Sequence, residues 1–224
     1  MVLREVAVRE SMPQDPARSA LLVIDVQPDF MPGGALATQA GDAVIDPISR
    51  LLRQGRFRHV VATQDWHPPG HISFASSHAG RAPFEVVELY GAEQVLWPDH
   101  CVQGEPGAEL HQRVPWQHVD LILRKATDPQ VDSYSAFREN IAPDGSRPPT
   151  GLAGWLRERG VETLYLCGLA RDYCVLWSAE DGAAAGFKVS FLWDLTRPVE
   201  ASNDASVARS LEHAGVEIES GEPA

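Results

Sequence analysis

Short apolar runs alternate with helical patterns along most of this 224-residue chain. The runs cover residues 20–26, 59–63, 119–123, 163–167, 188–192 and 216–218. Runs of this length, separated by helices, are typical of parallel strands that are buried on both faces. The order predicts one α/β domain over residues 1–224. We expect a three-layer α/β/α sandwich of the doubly wound, Rossmann-like type, with a six-stranded, mostly parallel sheet.

Four helices are predicted between these strands. The first has apolar residues at helical spacing from Val44 to Leu52, with Asp42 as its N-cap. The others are predicted around residues 152–156 and over residues 172–185 and 203–214. Each of these three is stopped by a glycine, at Gly160, Gly186 and Gly215 respectively.

The composition argues against several kinds of partner and location. A formal net charge of −12 disfavours a surface for nucleic acid or anionic lipid. No apolar run approaches the roughly 20 residues that cross a bilayer, and the charged residues within 1–10 do not suit a signal peptide. Three cysteines favour a reducing compartment over a disulfide framework. We therefore predict a cytoplasmic protein without nucleic-acid or membrane partners.

Four polar residues fall at the ends of predicted strands. Asp25, Asp65, Lys125 and Cys174 close or follow the first four strands in turn. In open α/β sheets, ligands bind beyond the carboxyl ends of the strands. We therefore expect these four side chains to face one crevice, as a candidate catalytic site.

Cys174 is the best candidate for a nucleophile. It follows a predicted strand and a turn at Gly168, and it begins a predicted helix. The positive end of a helix dipole lowers a thiol pKa, so we expect a thiolate here. The alternative is a buried structural cysteine, and this second interpretation is the one we prefer for Cys101 and Cys167.

Asp25 and Lys125 would supply the proton transfer and the charge that a thiol nucleophile needs. Asp25 ends an uncharged run, so desolvation should raise its pKa into the range of a useful base. Lys125 would hold both Asp25 and Cys174 in charged forms. Taken singly, each has a plainer interpretation: a carboxylate that caps a turn, and a solvated lysine.

A long segment over residues 64–118 interrupts the alternation and is rich in Pro, Gly, His and Trp. Loops of this length are usually functional or disordered. Whether this segment contains one or two helices is left undecided by its sequence. Asp65, His67 and His100 form a candidate ligand set for one Zn, Fe or Mn ion. His71 is either a fourth ligand or a structural residue, the latter being preferred. The remaining histidines, at positions 59, 78, 111, 118 and 213, are predicted to lie in solvent.

Together these motifs resemble the nicotinamidase/pyrazinamidase branch of the isochorismatase-like cysteine hydrolases. The motifs are VIDVQPDF at 23–30 with GGAL at 33–36, TQDWHP at 63–68 with His71, Ser73 and Phe74, WPDHCV at 97–102, Lys125 with TDP and DSYSAF at 127–137, and GLA at 168–170 with DYCV at 172–175. The similarity extends over residues 20–199. Two departures from the pattern are Ala126, where many relatives have glycine, and Tyr173, where relatives often have histidine. Arg171 and Arg197 are expected at the rim of the site.

The resemblance implies a catalytic triad and the rest of an active site. The triad is Asp25, Lys125 and Cys174, the metal ligands are Asp65, His67 and His100, and a cis peptide joins Leu169 to Ala170. The N–H groups of Ala170 and Cys174 would form the oxyanion hole, and Phe30, Trp97, Tyr134, Leu169 and Ala170 would bind the substrate. The implied reaction converts nicotinamide to nicotinate and ammonia, and pyrazinamide to pyrazinoate, through a thioester on Cys174. The alternative is hydrolysis of another small amide or carbamoyl compound, and assembly into a homo-oligomer stays open.

Overall fold

A six-stranded sheet forms the centre of the molecule, and every neighbouring pair of its strands is parallel. The computed structural model describes Pro13 and residues 15–220. The charged residues within 1–10 that bear on the signal-peptide prediction lie outside this range. In chain order the strands are β1 (Ser19–Ile24), β2 (His59–Asp65), β3 (Val86–Leu89), β4 (Ala92–Val95), β5 (Leu121–Lys125), β6 (Thr163–Leu169), β7 (Lys188–Arg197) and β8 (Glu217–Glu219).

The strand order β5-β2-β1-β6-β7-β8 places the reversal of connection between β1 and β6. From β1 the chain builds outward through β2 and β5 on one side, and from β6 outward through β7 and β8 on the other. Every residue of β1 is buried, as expected for the strand at the middle of such a sheet. Ligands bind at such a reversal point in doubly wound sheets, so the topology predicts a site beyond the carboxyl ends of β1 and β6.

Four helices flank the sheet: α1 (Ile45–Gln54), α2 (Leu152–Arg157), α3 (Leu176–Ala184) and α4 (Asp204–His213). Two predicted starts were wrong. Asp42 does not cap α1, because it lies inside a 3₁₀ turn, Gly41–Val44, that precedes the helix. Likewise α3 does not begin at residue 172, because a π-helical turn, Arg171–Val175, comes first. No described helix is long and apolar enough to span a membrane.

The long segment after β2 contains a small antiparallel hairpin, β3–β4, that the sequence analysis missed. Between residues 66 and 118 the structure has 3₁₀ turns and no α-helix. Two isolated β-bridges, His67 with Val102 and Phe74 with Trp97, tie the segment together. The segment is therefore held together by its own backbone pairing, and it covers the carboxyl ends of β2 and β5.

Candidate active site

Asp25, Asp65, Lys125 and Cys174 meet in one place, as the strand-end argument predicts. Asp25 directly follows β1 in a left-handed conformation (φ 46°). Asp65 and Lys125 are the last residues of β2 and β5 and are register partners. Cys174 reaches the same crevice from the π-helical turn after β6.

Gly168 allows β6 to pass close to β1 just before the turn that carries Cys174. It is paired with Ile24 across β1 and β6 and has φ 112°, a conformation that favours glycine. A Cβ atom at this position would lie 2.0 Å from the carbonyl oxygen of Ile24. The next peptide bond, Leu169–Ala170, is cis, which confirms the conformation implied by the family resemblance.

Lys125 is the centre of the polar cluster. Its ammonium lies 2.9 Å from Asp25 Oδ2 and 2.9 Å from Asp65 Oδ1. It also donates to the carbonyl oxygen of Ser133 at 2.9 Å and reaches Cys174 Sγ at 3.6 Å. Its side chain is fully buried, so the solvated-lysine interpretation does not apply. One cation therefore faces two carboxylates and the thiol.

The electrostatics of the cluster suit proton transfer between Asp25 and Cys174. Burial raises the pKa of the Asp25 carboxyl, and the neighbouring Lys125 cation offsets only part of this effect. Burial alone would lower the pKa of Lys125, but the carboxylates of Asp25 and Asp65 raise it well above its usual range. Thr63 Oγ donates to Asp25 Oδ1 at 2.6 Å and holds the carboxyl in place. Asp25 is thus a base of raised proton affinity beside a permanent cation.

The lowered thiol pKa that the sequence predicts for Cys174 was wrong. Burial raises the pKa of the thiol well above its ordinary value; Lys125 opposes this, and the negative charges of Asp25 and Asp65 add to it. Burial is therefore the dominant influence at Cys174, which lies in the π-helical turn that precedes α3. The raised pKa favours the neutral thiol, which needs a base to become a nucleophile.

Asp65, His67 and His100 form a buried group whose ligand atoms lie within 4.8 Å of one another. His100 Nε2 and His67 Nδ1 lie 3.4 Å and 3.7 Å from Asp65 Oδ2. His100 Nδ1 is 2.8 Å from the carbonyl oxygen of Pro98, so it carries the proton and leaves Nε2 with a lone pair. His67 Nδ1 is buried without a hydrogen-bond partner among the described residues. One carboxylate and two free imidazole lone pairs fit a divalent transition-metal ion.

His71 lies beside this group but already has protein partners. Its Nδ1 is 2.8 Å from Ser73 Oγ, and its Nε2 is 3.0 Å from the carbonyl oxygen of Asp128. Its ring centroid is 4.6 Å from that of His67. These contacts favour the structural role that the sequence analysis preferred.

A cavity bordered by Cys174, Asp65 and His100 connects the thiol with the candidate metal group. Phe30, Trp97, Tyr134 and Ala170 border it, as the resemblance implied. Leu169, predicted with them, does not border the cavity, although it is fully buried. Trp97 Nε1 donates to Tyr134 Oη at 3.0 Å, and the two rings pack edge to face.

The sequence analysis missed several residues of the cavity wall. Leu36, Asp132, Tyr173 and Val199 also border it. Tyr173 had been noted only as a departure from the family, and its ring packs 4.8 Å from that of Trp97, centroid to centroid. Asp132 belongs to a quoted motif, and its spacing gave no signal of a role.

Another missed residue, Gln27, fixes the backbone of Asp65. Its Oε1 accepts from the N–H of Asp65, and its Nε2 donates to the carbonyl oxygens of Asp65 and Ala108, each at 2.8 Å. A buried glutamine with a donor and an acceptor can clamp one residue from both sides.

Predictions for some remaining residues were wrong. Arg171 is not at the rim, because its buried guanidinium binds Thr196 and Asp204. His78 is half-buried, with Nε2 2.7 Å from the carbonyl oxygen of Ile72, and His59 and His111 are also only partly exposed. The packing predicted for Cys101 and Cys167 is confirmed by their full burial.

Comparison with known proteins gives one consistent result. Residues 19–222 match the model of the isochorismatase domain. A nicotinamidase of Acinetobacter baylyi is 44% identical over 199 residues, which are 89% of this chain and 87% of that protein. A solved structure described as an Acinetobacter baumanii nicotinamidase and pyrazinamidase has a TM-score of 0.86 and 42% identity, covering 92% and 98% of the two chains. The pyrazinamidase of Pyrococcus horikoshii in complex with zinc has a TM-score of 0.72 and 33% identity, covering 91% and 99%.

Proposed function

This chain belongs to the isochorismatase family, and on that premise we propose that it hydrolyses nicotinamide to nicotinate and ammonia, and pyrazinamide to pyrazinoate. The 44% identity to a nicotinamidase over most of both chains supports this substrate. The observation that carries the proposal is the cluster of Cys174, Asp25 and Lys125 beside a cavity that Cys174, Asp65 and His100 border, with His67 in the same buried group as Asp65 and His100.

In the proposed first half-reaction Cys174 is the nucleophile and Asp25 is the base. Asp25 takes the thiol proton as the sulfur attacks the carboxamide carbon. Lys125 stabilises the thiolate as it forms, since its ammonium lies 3.6 Å from Sγ. The negative oxygen of the tetrahedral adduct is held by the N–H groups of Ala170 and Cys174. Asp25 returns the proton to the leaving nitrogen, ammonia departs and a thioester remains.

The second half-reaction uses the same groups. Asp25, again a carboxylate, takes a proton from water while the water oxygen attacks the thioester carbon. The same two N–H groups hold the oxyanion, and the carbon–sulfur bond breaks. Asp25 returns the proton taken from water to the Cys174 sulfur, and the nicotinic acid that has formed loses its carboxyl proton to solvent and leaves as nicotinate.

The substrate ring is held by the aromatic walls and by the metal group. Phe30, Trp97 and Tyr134 enclose a planar ring, with Leu169 and Ala170 supporting the turn at its carboxamide end. Asp65, His67 and His100 would hold one divalent ion. A bound ion would supply a Lewis acid toward the pyridine nitrogen, directly or through water, and would thereby orient the ring. The donor set suits Zn, Fe or Mn, and the zinc complex of the Pyrococcus horikoshii enzyme supports zinc.

Ammonia release from nicotinamide tests this function. The wild-type protein should release ammonia, and Cys174→Ala should not, while Cys167→Ala, at a buried cysteine away from the cavity, should keep most of the activity. Equal activity in wild type and Cys174→Ala would reject the nucleophile. Activity that survives complete metal removal would reject the metal-anchored ring. The cytoplasmic location and any homo-oligomer stay predictions of the sequence.

A further inference from the structure

Asp132 is a buried carboxylate beside the metal group that the proposed reaction does not use. It is 4% exposed and borders the cavity. Its Oδ1 lies 3.5 Å from His67 Nε2, the ring nitrogen on the far side from Asp65. A buried charge is costly unless its neighbours compensate it, so the surroundings of Asp132 show what it does.

Two hydrogen-bond donors hold this carboxylate. Gln94 Nε2 donates to Oδ2 at 2.7 Å, and the Ser133 N–H donates to Oδ1 at 2.9 Å. The orientation of the Gln94 amide is fixed, because the same nitrogen lies 2.8 Å from the carbonyl oxygen of Val95, which can only accept. A carboxylate, which only accepts, fits this position. An asparagine there would direct its NH₂ group at one of these donors.

This arrangement determines which nitrogen of His67 carries the proton. Facing an acceptor at Asp132, Nε2 carries the N–H of the neutral, metal-binding form of His67, and this leaves the lone pair on Nδ1. That Nδ1 atom is the one without a hydrogen-bond partner among the described residues, 3.7 Å from Asp65 Oδ2. The carbonyl oxygen of Pro98 likewise fixes the tautomer of His100, because it accepts from Nδ1. Both imidazole lone pairs therefore face the Asp65 carboxylate.

We propose that Asp132 is a positioning residue that fixes His67 in the Nε2–H tautomer and so makes Nδ1 the metal ligand. Carboxylates that accept from the second nitrogen of a ligating histidine orient the ring and raise its basicity, and their loss typically weakens metal binding roughly 10–100-fold. Gln94 holds Asp132 from the β3–β4 hairpin side. The inference rests on the proposed metal site and is independent of nicotinamide as the substrate.

A second grouping of ligand atoms defines the competing arrangement. His67, His71 and Asp132 also lie within 4.8 Å of one another, which would make Asp132 itself a ligand and use His67 through Nε2. Against this, both nitrogens of His71 have partners in Ser73 and the backbone. The two arrangements differ in the His67 nitrogen that binds the ion, and this difference can be measured.

The first experiment measures zinc affinity by competition with a chelator. Asp132→Asn should bind Zn²⁺ roughly 10–100-fold more weakly than wild type. The control is Asp144→Asn, the same change at an exposed carboxylate, and it should bind as wild type does. Circular dichroism of the metal-free proteins checks folding. Wild-type affinity in a folded Asp132→Asn protein would overturn the proposal.

The second experiment needs no variant at Asp132. Nitrogen-15 NMR of the zinc-loaded wild-type protein distinguishes a metal-bound Nδ1 from a metal-bound Nε2 in His67. We expect zinc on Nδ1 and a proton on Nε2, and zinc on Nε2 would overturn the proposal. Absence of zinc binding by the wild-type protein would reject the metal site itself, a different failure from loss of the role of Asp132.

Discussion

Replacing Lys125 by methionine tests the electrostatic centre of the site. The substitution keeps a long unbranched side chain and removes the ammonium, and with it the contacts to Asp25, Asp65, Ser133 and Cys174. Both carboxylates are almost completely buried. Breaking a buried ion pair from one side typically destabilises a protein by about 3–5 kcal/mol. We expect a loss near this size, reduced to the extent that Asp25 takes up a proton.

The effect on catalysis follows from that proton. Burial already raises the pKa of Asp25, and Lys125 is the main influence that lowers it. Without the cation the pKa of Asp25 rises further, which favours the protonated carboxyl that cannot accept the Cys174 proton. Loss of general base catalysis costs roughly 10²–10⁴-fold, so we expect kcat to fall by at least the lower figure. Activity is measured as ammonia release, and the free energy of unfolding by urea denaturation.

The chain contains a matched control for this experiment. Lys125 and Lys188 are its two lysines, and Lys188 is exposed at the start of β7. Lys188→Met should leave both kcat and the free energy of unfolding near the wild-type values. Lys125→Met could instead behave like Lys188→Met in both measurements. That result would refute the conclusion that the Lys125 charge stabilises the buried carboxylates and lowers the pKa of Asp25.

Two further substitutions test the backbone around the site. Gly168→Ala would place a Cβ 2.0 Å from the Ile24 carbonyl oxygen at φ 112°, so it should cost about 3 kcal/mol or more by urea denaturation; Gly154→Ala, where a Cβ meets nothing within 4 Å, should not destabilise the protein. Gln27→Met leaves the buried N–H and carbonyl oxygen of Asp65 without their clamp and should cost about 2–6 kcal/mol. The same substitution leaves Asp65, a proposed metal ligand, without its backbone hydrogen bonds to Gln27, so zinc affinity should fall in titrations of the folded protein. Unchanged affinity would refute the role of Gln27 in positioning Asp65.

The parts of this fold that the sequence predicts are those determined by local pattern. The four inner strands lie within a few residues of the apolar runs, because a strand buried on both faces must be apolar throughout. The two edge strands, β5 and β8, also lie close to their runs, although they are partly exposed. Strand ends then place Asp25, Asp65 and Lys125 at one edge, since parallel strands end together. The hairpin β3–β4 was missed because its strands are short and half-exposed, without a clear alternation.

The parts that the sequence could not predict depend on contacts between distant segments. The raised pKa of Cys174 comes from burial under residues far away in the chain, whereas the local pattern shows only a strand followed by a helix. Gln94 and Asp132, and equally Gln27 and Asp65, are 38 residues apart. Nothing in the spacing of either pair indicates that they meet.

The position of β6 next to β1 has a consequence for the order in which the protein is completed. The strands β1, β2 and β5, with Asp25, Asp65, His67, His100 and Lys125, precede residue 163 in the chain, and Cys174 comes after it. A chain that stopped before β6 would display β1 with an open hydrogen-bonding edge, the kind of edge that pairs with other chains. The segment that pairs with this edge is the one that delivers the thiol, so β1 loses its open edge and the site gains its nucleophile in the same step.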